Sequence, residues 1–335
     1  MTDRRPRIFV TRHLPTQIET RMTTLFAAEF NPADTPLSSE ELLARVEGCD
    51  VLVSSINDRI DAALIARFPK SLRLIAQFGN GFDNIDVEAA YAAGLIVTNT
   101  PSVLTEDTAD MAMMLMLALP RRLVEGAGII PREGRWSGWA PTWMLGRRLR
   151  GKALGIVGMG RIGTAVAERA RTFGLNIHYY SRDRRPPQVE EALSATYHDS
   201  LDAMLPHVDI VSLHTPLTRS TQNILNAERL AAMRKDSFVV NVSRPELLDE
   251  QALIKAVESG HLSGAALDVF ESRNGIDPCL LDLARKNRIV LTAHMASATL
   301  EARLEMGETV IVNIRAFVDG HQPPHRVLPE NRKGV

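Results

Sequence analysis

Cysteine is scarce in this chain of 335 residues, which contains only Cys49 and Cys279. Two cysteines in unrelated contexts cannot build a disulfide framework, so we expect a protein of the reducing cytoplasm. Neither a CxxC pair nor an HExxH segment occurs in the sequence. These absences exclude the common zinc-binding and dithiol redox motifs, and we expect no metal site.

Excess charge and long apolar runs are lacking as well. The chain has 39 Lys and Arg against 40 Asp and Glu, a formal net charge of −1, so the charge balance does not favour nucleic acid or an anionic membrane as a partner. The longest apolar run, residues 111–119, is too short to cross a bilayer. With 45% hydrophobic residues the composition is that of a globular protein, and the length is typical of two domains.

A glycine-rich turn between two apolar segments is the most informative stretch. Residues 153–157 are predicted to form a buried strand, the segment GMGRIG follows at 158–163, and an Ala-rich helical pattern continues to Phe173. Gly174 is placed to end that helix, and residues 176–180 are predicted to be the next strand. Together they form a strand–turn–helix–strand unit of the type that binds dinucleotides.

Each glycine of this turn has a distinct physical role. Gly158 permits the tight turn, Gly160 lets a pyrophosphate approach the backbone, and Gly163 lets the helix pack close to the strand. Arg161 and Ile162 lie in the first helical turn, where free N–H groups and the helix dipole attract phosphate. The sequence therefore predicts a cofactor site here.

The residues after the second strand of this unit bear on which nicotinamide cofactor binds. An acidic residue at that strand end would hold the ribose 2′-hydroxyl of NAD. Here Ser181 is followed by Arg182, Asp183 and Arg184, and Ser and Arg side chains can accept a 2′-phosphate. We therefore predict that NADP(H) is favoured and that NAD(H) remains possible. Two points argue against the NADP(H) preference: the acidic Asp183, and the alternative that this is simply a solvated basic loop.

Strands alternate with helices along most of the chain, which predicts parallel sheets covered on both faces. Further strands are predicted at residues 7–10, 51–55, 72–77, 95–98, 208–213, 237–242, 263–269 and 289–292, and further helices at 15–26, 61–68, 87–93, 249–259 and 300–318. A single long helix is predicted at 105–123, with its methionines in the core. All three tryptophans lie in the loop at 134–143.

Six short patches, taken together, resemble the D-isomer-specific 2-hydroxyacid dehydrogenase family, most closely its glyoxylate/hydroxypyruvate reductase branch. They are FGNGFDNID (78–86), GMGRIG (158–163), LHTPLT (213–218), NVSR (241–244), LDVFE (267–271) and HMASAT (294–299). Their order and spacing match over nearly the whole chain.

The resemblance implies an α/β fold of two Rossmann- or flavodoxin-like parallel-sheet domains, with cofactor and substrate in the cleft between them. It implies a discontinuous substrate domain, residues 1–101 plus 295–335, around an NAD(P)-binding Rossmann domain at 102–294. It also implies a homodimer formed through the long helix and the tryptophan loop. The tryptophan loop could simply be a subunit interface, or it could also extend across the dimer so that Trp139 or Trp143 reaches the substrate cleft of the neighbouring subunit.

Reducing a 2-keto acid requires a cation to hold the carboxylate and polarise the keto oxygen, and an acid to protonate that oxygen. Arg244 suits the first role because guanidinium grips planar oxyanions. His294 suits the second because imidazole exchanges protons near neutral pH. The backbone at Asn80 and Gly81 resembles the family's second carboxylate grip.

The position of the family's tuning glutamate departs from the pattern. The resemblance places at Arg273 a glutamate that pairs with the catalytic histidine and raises its pKa, whereas a guanidinium there would favour neutral imidazole. Pro245 and Ala293 are smaller departures beside the arginine and the histidine. One explanation is that Glu271 or Asp277 reaches His294 instead.

Softer candidates follow from the resemblance alone. His214, Pro216 and Asp268 match positions near the cofactor. Ile56 matches a position that lines the substrate pocket. Ser297 matches one that contacts substrate, and capping of the final helix is an equal alternative for it.

The sequence thus predicts an NADP(H)-linked reductase of small 2-keto acids. Because the glutamate is absent, two alternatives stay open. One is a catalytically weakened or non-catalytic nucleotide-binding regulator. The other is a dehydrogenase of a bulkier or phosphonate-like acceptor, for which Arg273 would supply an anion grip.

Overall fold

The structure, a computed structural model, describes residues 5–272 and 275–329. The chain divides into two compact units. Unit 1 contains the residues up to Leu104 and those from Ala298 onward, and unit 2 contains Thr105–Ser297. Each unit is built on its own β-sheet.

The strands, in chain order, are β1 (Arg7–Val10), β2 (Ala27–Phe30), β3 (Val51–Ser55), β4 (Leu74–Phe78), β5 (Ile96–Thr98), β6 (Ala153–Val157), β7 (Asn176–Tyr180), β8 (Ala195–His198), β9 (Ile210–Leu213), β10 (Phe238–Asn241), β11 (Gly264–Leu267), β12 (Ile289–Leu291) and β13 (Arg326–Val327). The helices are α1 (Thr16–Leu25), α2 (Ser39–Val46), α3 (Ala62–Ile65), α4 (Val87–Ala92), α5 (Thr105–Ala118), α6 (Leu123–Glu133), α7 (Arg161–Thr172), α8 (Pro187–Leu193), α9 (Leu201–Met204), α10 (Ala227–Ala232), α11 (Glu250–Glu258), α12 (Pro278–Arg285) and α13 (Leu300–Val318). Short 3₁₀ turns lie at Leu205–His207 and Pro245–Leu247.

The two sheets confirm the predicted fold class. In the described part of unit 1 the strand order is β13-β5-β4-β3-β1-β2, and all pairs are parallel except β13 with β5. In unit 2 the order is β12-β11-β10-β9-β6-β7-β8, parallel throughout. The strand order reverses at β6, which has β9 on one side and β7 on the other. In such sheets ligands bind outside the carboxyl end of the strands at this point.

Both faces of each sheet are buried, as parallel sheets require. On β6, Leu154 and Ile156 pack into one hydrophobic cluster, and Ala153 and Val157 pack into a second cluster on the other face. Every residue of this strand is buried. The period-two alternation therefore divides one apolar run between two cores.

The predicted long helix at 105–123 is wrong at its end. Helix α5 stops at Ala118, and Arg122, with φ +53°, is the N-cap residue of the separate helix α6. Pro120 explains the break, because proline has no N–H and its ring clashes with the carbonyl of the preceding turn. Met111, Met113 and Met116 are buried as predicted, whereas Met114 is 46% exposed.

Several elements had no prediction. Strands β2 and β8 are sheet edges with partly exposed residues and weak apolar patterns. Helix α2 had a usable signal, a capping box between Ser38 and Glu41. Among the helices of the described residues, none is both long and apolar enough to traverse a lipid bilayer.

Candidate active site

The glycine-rich turn lies at the carboxyl end of β6. Gly158 has φ +98°, and a Cβ there would lie 2.8 Å from the backbone of His214. At Gly163 a Cβ would overlap the carbonyl oxygen of Gly158, whereas at Gly160 it would have no atom within 4 Å from the described residues beyond its own chain neighbours. Packing inside the protein thus requires glycine at 158 and 163. At Gly160 the backbone is open to the approach of a ligand.

That open approach coincides with the start of α7. Gly160 is the N-cap residue of this helix, without a side chain to bond the first N–H groups. Arg161 is exposed, and Ile162 is partly buried against the core of unit 2. The turn therefore fits the pyrophosphate of a dinucleotide, which needs free N–H groups and close access to backbone.

Ser181, directly after β7, is tied to this turn. The N–H of Met159 donates to Ser181 Oγ at 2.7 Å. The neighbouring Arg182 side chain is 93% exposed, and its one ion-pair partner among the described residues is Asp183, at a long 3.4 Å. The serine is therefore fixed at the strand end where a ribose hydroxyl or phosphate would lie, and the arginine is available to an anion there.

Arg184, also predicted to bind cofactor, is engaged within the protein. Its guanidinium makes two hydrogen bonds to Glu190, at 2.9 and 2.8 Å, and lies over the Tyr197 ring at 5.1 Å. Hydrogen bonds from Arg184 and then from Tyr179 lower the pKa of Glu190 to about 2. Burial, followed by that bond to Glu190, raises the pKa of Tyr179 to about 12. Arg184 thus shapes the loop, a role that the sequence did not suggest.

His214 lies beneath the glycine turn. Its Nε2 lies 2.7 Å from Ser212 Oγ, and its buried Nδ1 has no hydrogen-bond partner among the described residues. Burial lowers the pKa of His214 to about 3, so the ring is neutral. At Pro216 the carbonyl accepts a hydrogen bond from Thr221 Oγ1 at 2.7 Å, which closes the turn after β9.

Arg244 follows β10 in a loop that is fastened from inside. The buried Asn241 donates through Nδ2 to the Arg244 carbonyl at 2.8 Å and accepts from the Ser243 N–H at 3.0 Å. Ser243 Oγ donates to the carbonyl of Leu213 at 2.7 Å. The half-buried Arg244 side chain therefore extends from a backbone that has little freedom.

His294 follows β12 and has φ +51°, an unusual backbone for a non-glycine residue. The buried carboxylate of Asp268 holds the loop in this shape. It accepts from Thr292 Oγ1 at 2.7 Å, from the Met295 N–H at 2.9 Å and from the Ala296 N–H at 2.8 Å. In addition, the His294 N–H donates to the Asp268 carbonyl at 2.9 Å. Asp268 thus organises the loop from within.

One backbone bond joins these two loops. The Asp268 N–H donates to the Asn241 carbonyl at 2.9 Å. A continuous hydrogen-bonded path therefore connects the Arg244 loop to the His294 loop through Asn241 and Asp268. The sequence did not predict this organising role for either residue, although both lie inside the NVSR and LDVFE patches.

Ser297 does not cap the final helix. The N-cap of α13 is Thr299, whose Oγ1 accepts from the Ala302 N–H at 3.1 Å. That alternative for Ser297 is therefore wrong. Ser297 is half-buried at the end of the His294 loop.

In unit 1, the predicted substrate residues lie in two loops that touch. Ile56 follows β3, and its Cγ2 would lie 2.8 Å from a Cβ at Gly79, so Gly79 permits the close approach. Asn80 and Gly81 follow in the same loop after β4 and are half-buried. Their carbonyls accept hydrogen bonds from side-chain amides of this unit.

Trp139 is 78% exposed. Around it, Trp136 and Trp143 have ring centroids 6.1 Å apart, and α6 contains no buried residue. Exposed apolar side chains are numerous here: Leu123, Val124, Ile130, Trp136, Trp139, Trp143 and Leu145. We call this set the α6–tryptophan face.

Arg273 lies outside the described residues. Asp277, one suggested replacement for the family glutamate, is the N-cap of α12, where its carboxylate accepts from the Cys279 N–H and from Gln251 Nε2, each at 2.7 Å. Both oxygens are thus used locally. Within the described ranges there is no group of three or more His, Cys, Asp or Glu side chains arranged to bind a metal.

Comparison with known proteins shows which family this chain resembles. The family profile described as D-isomer specific 2-hydroxyacid dehydrogenase, NAD binding domain, matches residues 113–296. A glyoxylate reductase of Korarchaeum cryptofilum is 43% identical over 329 residues, covering 97% of this chain and 97% of that protein.

Solved structures are similar over the same length. A putative D-isomer specific 2-hydroxyacid dehydrogenase from Polaromonas sp. superposes with a TM-score of 0.88 at 38% identity, covering 97% of this chain and 99% of that one. An NADPH-dependent glyoxylate/hydroxypyruvate reductase from Sinorhizobium meliloti, in complex with NADP and malonate, has a TM-score of 0.82 at 33% identity, with 96% and 97% coverage.

Proposed function

Because this chain belongs to the D-isomer-specific 2-hydroxyacid dehydrogenase family, we propose that it is an NADP(H)-preferring reductase of small 2-keto acids. Glyoxylate and hydroxypyruvate are the substrates to expect, and D-2-hydroxy acids are the products. The observation that carries the proposal is the hydrogen-bonded path from the Arg244 loop through Asn241 and Asp268 to the His294 loop.

In this proposal each residue has a defined task. The Arg244 guanidinium holds the carboxylate and donates to the keto oxygen, where negative charge develops. His294 donates a proton to that oxygen as it becomes a hydroxyl group. The N–H groups of Asn80 and Gly81 bind the carboxylate, and Ile56 and Ser297 contact the remainder of the substrate. The reduced nicotinamide supplies the hydride.

The cofactor preference rests on the β7 strand end. Gly158, Gly160 and Gly163 admit the pyrophosphate, and Ser181 and Arg182 favour a 2′-phosphate over a bare ribose. His214, whose backbone lies against the glycine turn, Pro216 and Asp268 are further candidate contacts to the cofactor. The Sinorhizobium meliloti reductase, which is NADPH-dependent, lends weight to the same choice.

The cofactor preference has a direct test. We expect Ser181→Asp to shift the ratio of kcat/KM from NADPH toward NADH by at least about tenfold, because the introduced carboxylate repels a 2′-phosphate and accepts from a 2′-hydroxyl. The exposed Ser259 provides the matched control, Ser259→Asp, which should change neither value. An unchanged ratio in Ser181→Asp would contradict the assignment.

The reaction itself is tested by following NADPH and NADH oxidation with glyoxylate, hydroxypyruvate and larger 2-keto acids from pH 5 to 9. His294→Asn should lower kcat by about 10²–10⁴, and Arg244→Lys should lower kcat/KM strongly. Arg229→Lys, whose guanidinium pairs with Asp202 on the surface, is the control. Normal rates in the first two variants would overturn the proposed roles.

Because arginine stands at position 273 in place of the family glutamate, a second candidate function is a nucleotide-binding regulator with little or no turnover. If Arg273 depresses activity simply by replacing an acidic partner, Arg273→Glu should raise keto-acid reduction. Tight NADPH binding without turnover on any acceptor would favour the regulator. Turnover confined to bulkier or phosphonate-bearing acids would favour the altered acceptor.

We also propose that the α6–tryptophan face is covered by a second copy of this chain. A helix without a buried residue and the three tryptophans after it place seven exposed apolar side chains in one segment, which a lone chain would leave in water. In this homodimer Trp139 reaches the partner's substrate. Sedimentation should show a dimer, and Ile130→Asp should yield a monomer; a monomeric parent chain would refute this.

A further inference from the structure

The loop after β4 is held by its carbonyl oxygens. Three consecutive carbonyls, those of residues 79–81, each accept a hydrogen bond from within unit 1. The donors are the Thr100 N–H to Gly79 at 3.0 Å, Asn99 Nδ2 to Asn80 at 2.7 Å and Gln77 Nε2 to Gly81 at 3.2 Å. Gln77 and Thr100 are fully buried, so the first and third carbonyls point into the protein.

The direction of these carbonyls determines the direction of the next N–H groups. In a planar trans peptide the C=O of one residue and the N–H of the following residue point opposite ways. The N–H groups of Asn80, Gly81 and Phe82 therefore point away from the buried donors. Over residues 5–272 and 275–329 these three N–H groups have no hydrogen-bond acceptor. Successive N–H groups left open in this way form a nest that attracts anions.

The orientation of the Gln77 amide is unambiguous. Its Nε2 contacts the Gly81 carbonyl, which can only accept, and its Oε1 accepts from Ser54 Oγ at 2.7 Å. The same Nε2 donates to Asn84 Oδ1 at 2.8 Å. A flipped amide would place oxygen against oxygen at both contacts. Gln77 is therefore a fixed donor to the loop.

Through Asn84 the network also reaches the other substrate loop. Asn84 Nδ2 donates to the carbonyls of Ser55 at 3.1 Å and Asp58 at 2.7 Å. The buried carboxylate of Asp58 in turn accepts from the Ser55 N–H at 2.7 Å and from Thr11 Oγ1 at 2.5 Å. Ile56 lies between these anchored residues. The two loops of unit 1 are thus held as one body.

We infer that Gln77 and Asn99 are positioning residues that aim the N–H groups of Asn80, Gly81 and Phe82 at the carboxylate of the 2-keto acid. This inference rests on the proposed function. Neither side chain needs to touch substrate, because each acts through the carbonyl that it holds. A carboxylate is the ligand class that gains most, since hydrogen bonds to a charged acceptor are about twice as strong as neutral ones.

Asn99→Ala and Gln77→Met test the inference. The first variant changes a half-buried side chain whose amide holds Asn80, and the second removes a buried donor. We expect KM for glyoxylate to rise about tenfold in each, with kcat and KM for NADPH within about twofold of the parent values, because the carboxylate is bound equally in ground and transition states. A bulkier 2-keto acid should show the same rise, since it has the same carboxylate.

A matched control separates positioning from general destabilisation. Asn31 is a buried amide of unit 1 that donates to the carbonyls of Thr11 and Thr35, at 3.1 and 2.9 Å. Asn31→Ala should lower stability without changing KM for the keto acid. If Asn99→Ala and Gln77→Met leave KM unchanged, or raise it no more than Asn31→Ala does, the inference is overturned.

Titration of oxalate by calorimetry distinguishes this failure from failure of the proposed function. If the parent protein reduces no 2-keto acid, the proposed function fails, and oxalate then tests the nest alone. Tenfold weaker oxalate binding in Asn99→Ala and Gln77→Met would support the inference. Equal binding in parent and variants, or no binding to the parent, would refute it.

Discussion

The two units orient their loops by different chemical means. In unit 2, the buried carboxylate of Asp268 accepts hydrogen bonds from three donors of the His294 loop, and in the glycine turn Gly158 and Gly163 leave no room for a Cβ. In unit 1, neutral amides of Gln77 and Asn99 hold carbonyls of the loop after β4. A buried carboxylate accepts hydrogen bonds, so the N–H groups of its loop point toward the protein interior. Side-chain amides donate hydrogen bonds, so the carbonyls of their loop point inward and its N–H groups point outward. The same kind of sheet edge thus presents side chains in one unit and backbone donors in the other.

The largest effect should come from removing the charged acceptor of unit 2. Asp268→Ala leaves Thr292 Oγ1 and the N–H groups of Met295 and Ala296 without their partner, so we expect the free energy of unfolding to fall by about 2–4 kcal/mol and activity to be lost. Urea denaturation measures the first quantity. Asp282→Ala, at an exposed residue paired with Lys286, should have almost no effect. Similar stabilities for the two variants would contradict the role of the Asp268 carboxylate in holding the His294 loop.

The glycine turn should respond in two separable ways. Gly163→Ala places a Cβ against the Gly158 carbonyl, so we expect a loss of about 1–3 kcal/mol in stability as well as weaker NADPH binding. In Gly160→Ala the added methyl group has no close contact with other described residues, so stability should be preserved. NADPH should bind at least about tenfold more weakly, because the methyl group occupies the pyrophosphate approach. Thermal unfolding and fluorescence titration separate the two. Unchanged NADPH affinity in Gly160→Ala would contradict the assigned approach.

The smallest effect is a loss of stability at acidic pH, which we expect to arise from a group of histidines in unit 2. His178 Nδ1 lies 3.0 Å from His198 Nε2, and the His207 ring lies 5.9 Å from that of His198. Burial first, and then the neighbouring histidines, hold the pKa values of His178 and His198 below 6.5. Below about pH 6.5 the unfolded chain therefore binds more protons than the folded chain. Stability should fall as the pH drops from 7 toward 5, by less than about 1 kcal/mol, because these side chains are partly exposed and screened.

Denaturant midpoints measured across that pH range provide the check. His198→Gln should flatten the acid slope, since it removes one member of the pair. The exposed His321→Gln in unit 1 is the control and should leave the slope as in the parent protein. A steeper slope in His198→Gln would contradict the sign.

Strong apolar runs made much of the fold predictable. The strands Val51–Ser55, Ala153–Val157 and Asn176–Tyr180 and the helix Leu300–Val318 have the predicted bounds. Edge strand β8 was missed, because a strand with one neighbour needs few apolar residues. The prediction of one helix over 105–123 is wrong at its end, because leucines continue the apolar pattern to Leu123 whereas Pro120 interrupts the helix.

Local patterns also suggested which residues carry the site, but not how each is used. Arg184 was predicted to bind cofactor, yet Glu190 and Tyr197 engage it inside the β7–β8 region. Asp268 was predicted near the cofactor, yet its carboxylate folds the His294 loop. Gln77 and Asn99 carry no sequence signal, since their partners are carbonyls that any residue could supply.

The sequence by itself determined the two parallel sheets, the glycine turn and the family, because these follow from side-chain periodicity and from short motifs, both of which can be read within a few neighbouring residues. Only the tertiary structure decided which polar side chains hold a loop and which extend from it. That choice depends on hydrogen-bond partners that lie far apart in the chain, such as Asp268 with Ala296 or Asn99 with Asn80. Buried polar groups must find partners wherever the fold brings them, and no local pattern encodes those distances.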